Sequence, residues 1–274
     1  MQDISEIWLH DLQEKLPNEP LTVADVRIGV FYTAAGLSNG HVGIAFTPRD
    51  LNDTVCCPKS AASAPPAGRM AGQAAWKLAE YACSPVPLRR SVGVAVLNAL
   101  SALAMERHGV CGGKLLVGVD ALDAAEVRPD DRVAMVGGFV PFIKKLKGKI
   151  SDLWVIDKRP QALKADERSF WCAPEQAGET LSKASVVIMT GSTLVEGGLD
   201  ELLDAARNAR RVIMAGPTAS PWPPTFFARG VHVLGGIRVK DGAKLLQVVS
   251  EGGSGYFFED FAEKVCIVKE EQLH

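Results

Sequence analysis

The sequence predicts an α/β protein in two units: an N-terminal α+β unit, then a doubly wound, mainly parallel sheet. Three observations carry this expectation. Asp131–Asp157 (DRVAMVGGFVPFIKKLKGKISDLWVID) reads as strand, glycine turn, helix, then a strand ending on an acid, the opening unit of a nucleotide-type domain. From Asp131 onward, short apolar runs alternate with helix-period segments, which is the pattern of a parallel sheet covered on both faces. Before residue 113 the order is helix, strands, helices, an α+β arrangement. The expected division is 1–113 and 114–274.

Taken in order, Ile4–Leu16 is a predicted helix, with Ile7, Trp8, Leu12 and Leu16 on one side and Pro17 as its stop. Thr22–Thr33 alternates as a β-branched strand. Ala34–Gly40 reads as a turn and His41–Thr47 as a second, antiparallel strand. Leu51–Arg69 has no period, which marks a functional or irregular stretch. Met70–Tyr81 and Pro87–Arg107 are predicted helices. The second is apolar on nearly every side, so it belongs between layers. Lys114–Asp130 reads as a connection.

In the second unit Arg132–Val136 and Asp152–Ile156 are strands flanking a helix over Phe139–Leu146, with Pro141 in its first turn. Lys158–Thr180 is polar. Further strands are expected at Ala184–Met189, Arg211–Met214 and Val231–Leu234. Helices are expected at Leu199–Ala209, Pro223–Arg229 and Asp241–Ser250. Tyr256–Val268 is of mixed character.

Composition bounds the function. A chain of 274 residues with 47% hydrophobic and 23% charged residues has the makings of a real core. A formal net charge of −2 gives no electrostatic reason for nucleic acid or an anionic membrane as partner. None of the six cysteines forms a C-x-x-C pair, which argues against a zinc ribbon or a thioredoxin-type motif. MQDISEIWLHDLQEKL lacks the pattern of a signal peptide, and Val92–Met105 is short for a membrane span, so a reduced cytoplasm is the expected compartment.

Three strand ends carry glycine- or hydroxyl-rich loops: Gly137-Gly138-Phe139, Thr190-Gly191-Ser192-Thr193 and Gly216-Pro217-Thr218-Ala219-Ser220. In a parallel sheet such loops share one edge, where ligands bind at the switch in strand order. They would offer close backbone approach, free N–H groups and several hydroxyls to a phosphate, carboxylate or polyhydroxylated ring. Each loop alone is also ordinary turn and cap chemistry. Asp157 stands twenty residues after Gly137, placed for a ribose-like diol, although G-x-G-x-x-G is incomplete. Ser192 lies in G-S-T and not in a nucleophile elbow, so its expected work is hydrogen bonding. Asp200 and Glu201 read as acids of a helix start, with Glu196 left open as a site residue. His41 follows Ser38-Asn39-Gly40 in a loop able to cross an interface; the other histidines are isolated. Cys56, Cys57 and His41 are the weak metal candidates.

VVIMTGSTLVEGGLDELL, RVIMAGPTAS and FFARGVHVLGG resemble the Rossmann-like half of the putative heavy-metal chelation family. VADVRIGVFYTAAGLSNGHVGIAFTP and SVGVAVLNAL resemble its companion domain, similar in fold to the N-terminal domain of enolase. The resemblance covers nearly the whole chain. It implies an enolase N-terminal-like domain, a Rossmann-like domain and a ligand site at their junction. Gly137, Gly138, Thr190, Gly191, Ser192, Gly216, Pro217 and Thr218 would line that site, with Asn39 and Gly40 from the first domain. Glu196 stands where such proteins are expected to carry a neutral Asn.

The resemblance further implies a small polar or anionic ligand, pterin-, flavin- or chelator-like, with condensation, hydrolysis or group transfer as the reaction class if the protein is an enzyme. Two alternatives stay open: a non-catalytic carrier of a metal or metal complex, and a methyltransferase. The cofactor is accordingly open between a metal ion and an S-adenosylmethionine-like nucleotide. A homodimer is also left open.

Overall fold

The computed structural model describes residues 3–17, 19–49 and 63–270. Helix α1 (Ile4–Lys15) is capped by Asp3, whose carboxylate accepts the Ser5 N–H. Strands β1 (Val23–Ile28), β2 (Tyr32–Leu37) and β3 (Val42–Phe46) form an antiparallel sheet in the order β1-β2-β3. A short helix α2 (Ala75–Ala79) leads into α3 (Pro87–His108), the predicted apolar helix, with thirteen buried residues.

The chain then enters a second sheet through β4 (Gly113–Val117) and α4 (Ala121–Ala124). It continues with β5 (Arg132–Val136), α5 (Val140–Leu146), β6 (Asp152–Ile156), β7 (Trp171–Cys172) and α6 (Ala177–Lys183). Next come β8 (Val186–Thr190), α7 (Thr193–Glu196), α8 (Leu199–Ala205), β9 (Arg211–Ala215) and α9 (Pro223–Ala228). The last elements are β10 (Val233–Val239), α10 (Gly242–Ser250) and β11 (Ala262–Lys269).

The large sheet has eight strands in the order β4-β11-β10-β9-β8-β5-β6-β7. β7 to β10 run parallel, while β11 pairs antiparallel with both β10 and β4. Counted along the chain, the parallel strands stand as third, second, first, fourth, fifth, sixth. That is the doubly wound order, and its direction reverses between β5 and β8. The predicted fold class is therefore the observed one.

Three apolar clusters hold the layers together. One face of the large sheet (Ala134, Val187, Met189, Met214) packs with α3 and with Trp8 and Leu12 of α1. The other face (Val133, Met135, Ile188, Ile213) is covered by Phe142, Ile143 and Leu146 of α5 and by α4. The third cluster joins Ala34, Val42 and Ile44 of the small sheet to Leu245 and Val249 of α10. The small sheet is thus enclosed by α3 on one face and by a helix from the far end of the chain on the other. α3 is long and apolar enough to cross a membrane by length and composition, but most of it is covered by protein.

Several local expectations change. The strand predicted over Thr22–Thr33 is two strands, and the turn predicted at Ala34–Gly40 is mostly β2. The chain reverses at Gly29, whose N–H bonds the Tyr32 carbonyl at 2.9 Å. A Cβ on Gly29 would stand 2.1 Å from the Val249 carbonyl oxygen, so glycine here is what lets α10 pass this close over the turn. The Met70–Tyr81 helix begins only at Ala75, because Ala74 is drawn into a bridge with Thr22. Lys114–Asp130 contains β4 and α4, and the polar 158–180 segment contains β7. The expected strand at Val231–Leu234 runs on to Val239. Most of the aperiodic Leu51–Arg69 stretch, with Cys56 and Cys57, lies outside the described residues.

Candidate functional site

The three predicted loops meet at the C-terminal edge of β5, β8 and β9, on the switch in strand order. Gly137 adopts φ +91, and a Cβ there would come within 2.9 Å of Thr190 Cγ2. Gly191 packs on the third loop, where a Cβ would come within 2.7 Å of the Ala219 nitrogen. Gly216 has φ +106 and faces the Phe139 ring, which stacks on Phe142 with centroids 5.1 Å apart. Glycine at these points lets loops from three strands close on one another.

That closeness consumes most of the groups expected to be free. Asp157 Oδ2 accepts the Gly138 N–H at 3.1 Å, and its Oδ1 accepts the Arg159 N–H at 2.9 Å. The acid at the tip of β6 therefore sits on the glycine turn itself, where a phosphate would meet negative charge. Thr190 Oγ1 accepts the Ser192 N–H, and the Thr193 hydroxyl donates to the Thr190 carbonyl. Thr218 Oγ1 accepts the Phe46 N–H at 2.9 Å, and Ser220 is tied to Ile237. Ser192 is half-buried, and its hydroxyl makes no hydrogen bond to the described residues. Glu196 Oε2 accepts from Lys158 Nζ at 3.1 Å.

The N-terminal unit packs on these loops through α3. Arg90 of α3 donates to the Val195 carbonyl at 3.3 Å, and its guanidinium lies against Gly197. Asn98 Nδ2 donates to the carbonyls of Ile44 (2.8 Å) and Thr218 (3.0 Å). Asp200, read as structural, accepts the Ile4 N–H and pairs with Arg229.

Asn39, Gly40 and His41 lie elsewhere. A four-residue connection, Ser38-Asn39-Gly40-His41, joins β2 to β3, with Gly40 at φ +92. This turn lines a cavity of about 750 Å³ between β3, α3 and strands β10 and β11. Pro217, Ala219 and Ser220 of the third loop also line it, whereas Gly137, Gly138, Asp157 and Thr190–Thr193 do not. Of the three loops, the third alone therefore contributes to this cavity among the described residues. His41 Nε2 stands 2.8 Å from Glu106 Oε2, and His41 Nδ1 and Asn98 Oδ1 are buried without partners. The role of Asn98 and Glu106 in this wall was not anticipated. The available signal was Asn98, an amide inside the apolar stretch of α3, two turns before Glu106.

Among the described residues no group of three or more His, Cys, Asp or Glu side chains could hold a metal ion. His41 has one carboxylate beside it, and the two remaining metal candidates, Cys56 and Cys57, fall outside the described residues.

Two family models match the chain, both described as "Putative heavy-metal chelation". One covers residues 9–101 and the other, over more than half of the chain, residues 120–268. Over 184 residues the sequence is 27% identical to an uncharacterized protein of Methanocaldococcus jannaschii, a match spanning 65% of this chain and 65% of that relative. Two solved structures share the fold at a TM-score of 0.76. One is a protein of unknown function from Pyrococcus horikoshii, with 20% identity, covering 97% of this chain and 100% of that one. The other, also of unknown function, is from Desulfitobacterium hafniense, with 22% identity, covering 98% and 100%. Both come from the family that the 120–268 model describes.

Proposed function

Given that this chain belongs to the putative heavy-metal chelation family, we propose that it binds a small polar molecule in the crevice at the switch in strand order, in the metabolism of a metal-chelating compound. The observation that supports this reading most directly is the packing of Gly137 on Thr190 and of Gly191 on the Thr218–Ala219 loop. Three loops from neighbouring strand ends are fused into one rim, where doubly wound sheets take their ligands.

The chemistry of the rim narrows the ligand. Asp157 on the glycine turn disfavours an anion at that point and suits a hydroxyl or amine donor. Ser192 supplies the available hydroxyl, and Lys158 and Glu196 supply a paired charge. These groups would hold and orient a reacting molecule for condensation, hydrolysis or group transfer. In this reading the enolase N-terminal-like and Rossmann-like units meet near Gly113, and the protein works in the cytoplasm. A second reading rests on Asp157 at the tip of β6, where a ribose diol would be met; it makes the ligand nucleoside-bearing, as S-adenosylmethionine is.

Native mass spectrometry of freshly purified protein tests the proposal when paired with titration of Ser192→Ala and Asp157→Ala variants. A copurified organic mass, lost from both variants while their folds persist, is the expected result. Retention of the ligand in both variants would sink the placement. A calorimetric titration with S-adenosylmethionine that gives no heat at millimolar concentration discards the second reading. A copurified metal without organic mass would instead favour a metal carrier and direct attention to Cys56, Cys57 and His41.

A further inference from the structure

The outermost strands of a sheet carry backbone N–H and C=O groups with no ladder to join, and proteins guard them because they recruit other chains. Among the described residues there are four such strands, β1 and β3 in the small sheet and β4 and β7 in the large one. Three are guarded. On β3 the outward groups are taken within the chain. The Phe46 N–H donates to Thr218 Oγ1, the Phe46 carbonyl accepts from the Ser91 hydroxyl, and the Ile44 carbonyl accepts from Asn98 Nδ2. β1 has a register shift between Val23 and Asp25 and an Asp25–Arg27 ion pair, and its first residue bonds the backbone of Gly72 and Gln73. β7 has only two residues.

β4 is open. The Gly118 N–H donates to the Lys264 carbonyl, and the Glu270 N–H donates to the Gly112 carbonyl. Along an antiparallel pair the bonded residues alternate. The even-numbered residues of β4 therefore bond β11, and the backbone groups of Gly113, Leu115 and Val117 face outward. Leu115 and Val117 also hold their side chains out, at 37% and 50% exposure. Donors, acceptors and two aliphatic side chains are thus presented together. Lys114 and Leu116 stand on the opposite face, where Leu116 packs against the cluster under α4 and α5.

An identical strand is the complement of this one. With Leu115 facing the partner's Leu115 on a two-fold axis, Gly113 faces the partner's Val117 on one side and Val117 faces the partner's Gly113 on the other. Each of the three outward N–H groups on either strand then meets a carbonyl of the other. The Leu115 side chains pack across the axis, and Gly113 has no side chain to obstruct the valine opposite. Lys114 opposes the partner's Leu116, so no like charges stand face to face. We infer that the chain self-associates through β4, pairing antiparallel about Leu115 and joining two eight-stranded sheets into one continuous sheet. Five residues a side place this interface below about 1,200 Å² in total, at the weak end of specific contacts. Dimer and monomer therefore exchange at concentrations on the order of micromolar.

Sedimentation velocity of the whole chain from about 1 to 200 µM is the test, run on wild type and on Leu115→Lys and Leu115→Glu, alone and mixed. Wild type should pass from monomer to dimer over that range. Each variant alone should stay monomeric, because like charges meet on the axis. The equimolar mixture should recover a dimer, and native mass spectrometry should show it to hold one chain of each kind. That recovery is a positive result which a misfolded variant could not give. In a Cys111→Ser background, oxidised Leu115→Cys should cross-link to its own copy at least tenfold more than Lys114→Cys. A wild-type monomer at every concentration, a dimer that persists in Leu115→Lys, or a mixture that stays monomeric would overturn the inference. Loss of the dimer only on replacing Tyr256 and Phe257, the exposed aromatic pair, would place the contact there and overturn it equally.

Discussion

The side-chain amide of Asn98 donates to the carbonyl of Thr218 across 120 residues of sequence, and in the same geometry to the carbonyl of Ile44. One buried side chain therefore ties α3, the small sheet and the loop after β9 into a single seam. Replacing it with Leu strands two buried carbonyls. The expected cost is about 2–4 kcal/mol, read as a lower urea midpoint with an unchanged slope. A loss below 0.5 kcal/mol, on the order expected of a neutral surface change, would show that water replaces the amide.

Thr218 tests the same seam from the other side. Its hydroxyl accepts the Phe46 N–H, and the residue is 3% exposed. Thr218→Val should destabilise by about 1–3 kcal/mol. Thr218→Ser should restore most of that loss, whereas Ser192→Ala should leave the melting temperature within about a degree.

Gly93 reverses an ordinary rule. Alanine in place of a helix-interior glycine normally stabilises by about 1 kcal/mol. Here a Cβ would stand 1.9 Å from the Ala82 nitrogen, so Gly93→Ala should destabilise by about 2 kcal/mol or more. Thermal unfolding of the variant decides the sign.

Asp131 gives a pH dependence. Burial raises its carboxyl, but the Arg128 N–H, the Ser185 hydroxyl and the Arg210 guanidinium together hold it below the usual carboxylate value. A depressed folded value means that the contribution is complete above about pH 4, the unfolded value, and is lost as pH falls through the folded one. The stability difference between wild type and Asp131→Asn should therefore shrink between pH 5 and pH 2, in steps of roughly one unit. A difference constant over that range would exclude the assignment.

Thiol reactivity should sort by burial. Burial, reinforced by nearby acids, pushes Cys83 and Cys266 up to about 11, and the Cys266 thiol donates to the Val119 carbonyl at 3.0 Å. At pH 8 roughly one in a thousand of these thiols is ionised. Iodoacetamide followed by peptide mass mapping should modify exposed Cys111 at least tenfold faster than either.

The parts read correctly from sequence were those with local causes. α3 was evident because apolar residues surround it, and β5, β8 and β9 because each is a short apolar run followed by glycine or hydroxyl residues. Gly29 was misread because its role depends on Val249, and β4 because its partner β11 lies about 150 residues away. The crevice loops were legible for the same local reasons. Their hydrogen-bond economy was not, since Thr218 answers to Phe46 and Gly138 to Asp157. Asn39 and Gly40 were expected to share a site with the glycine loops, and with His41 they line a cavity that Gly137, Gly138 and Thr190–Thr193 do not. That this cavity lies apart from the glycine turn depends on how the two sheets are docked.

The placement of α10 over the small sheet has a consequence for biosynthesis. While the chain emerges from the ribosome, Ala34, Val42 and Ile44 have no cover until residues 242–250 have been made. The first sheet is therefore finished by almost the last helix, and the nascent N-terminal half must travel with an open apolar face through most of translation. A chain built this way covers the outer face of its N-terminal sheet and the apolar face of its C-terminal helix in one late event.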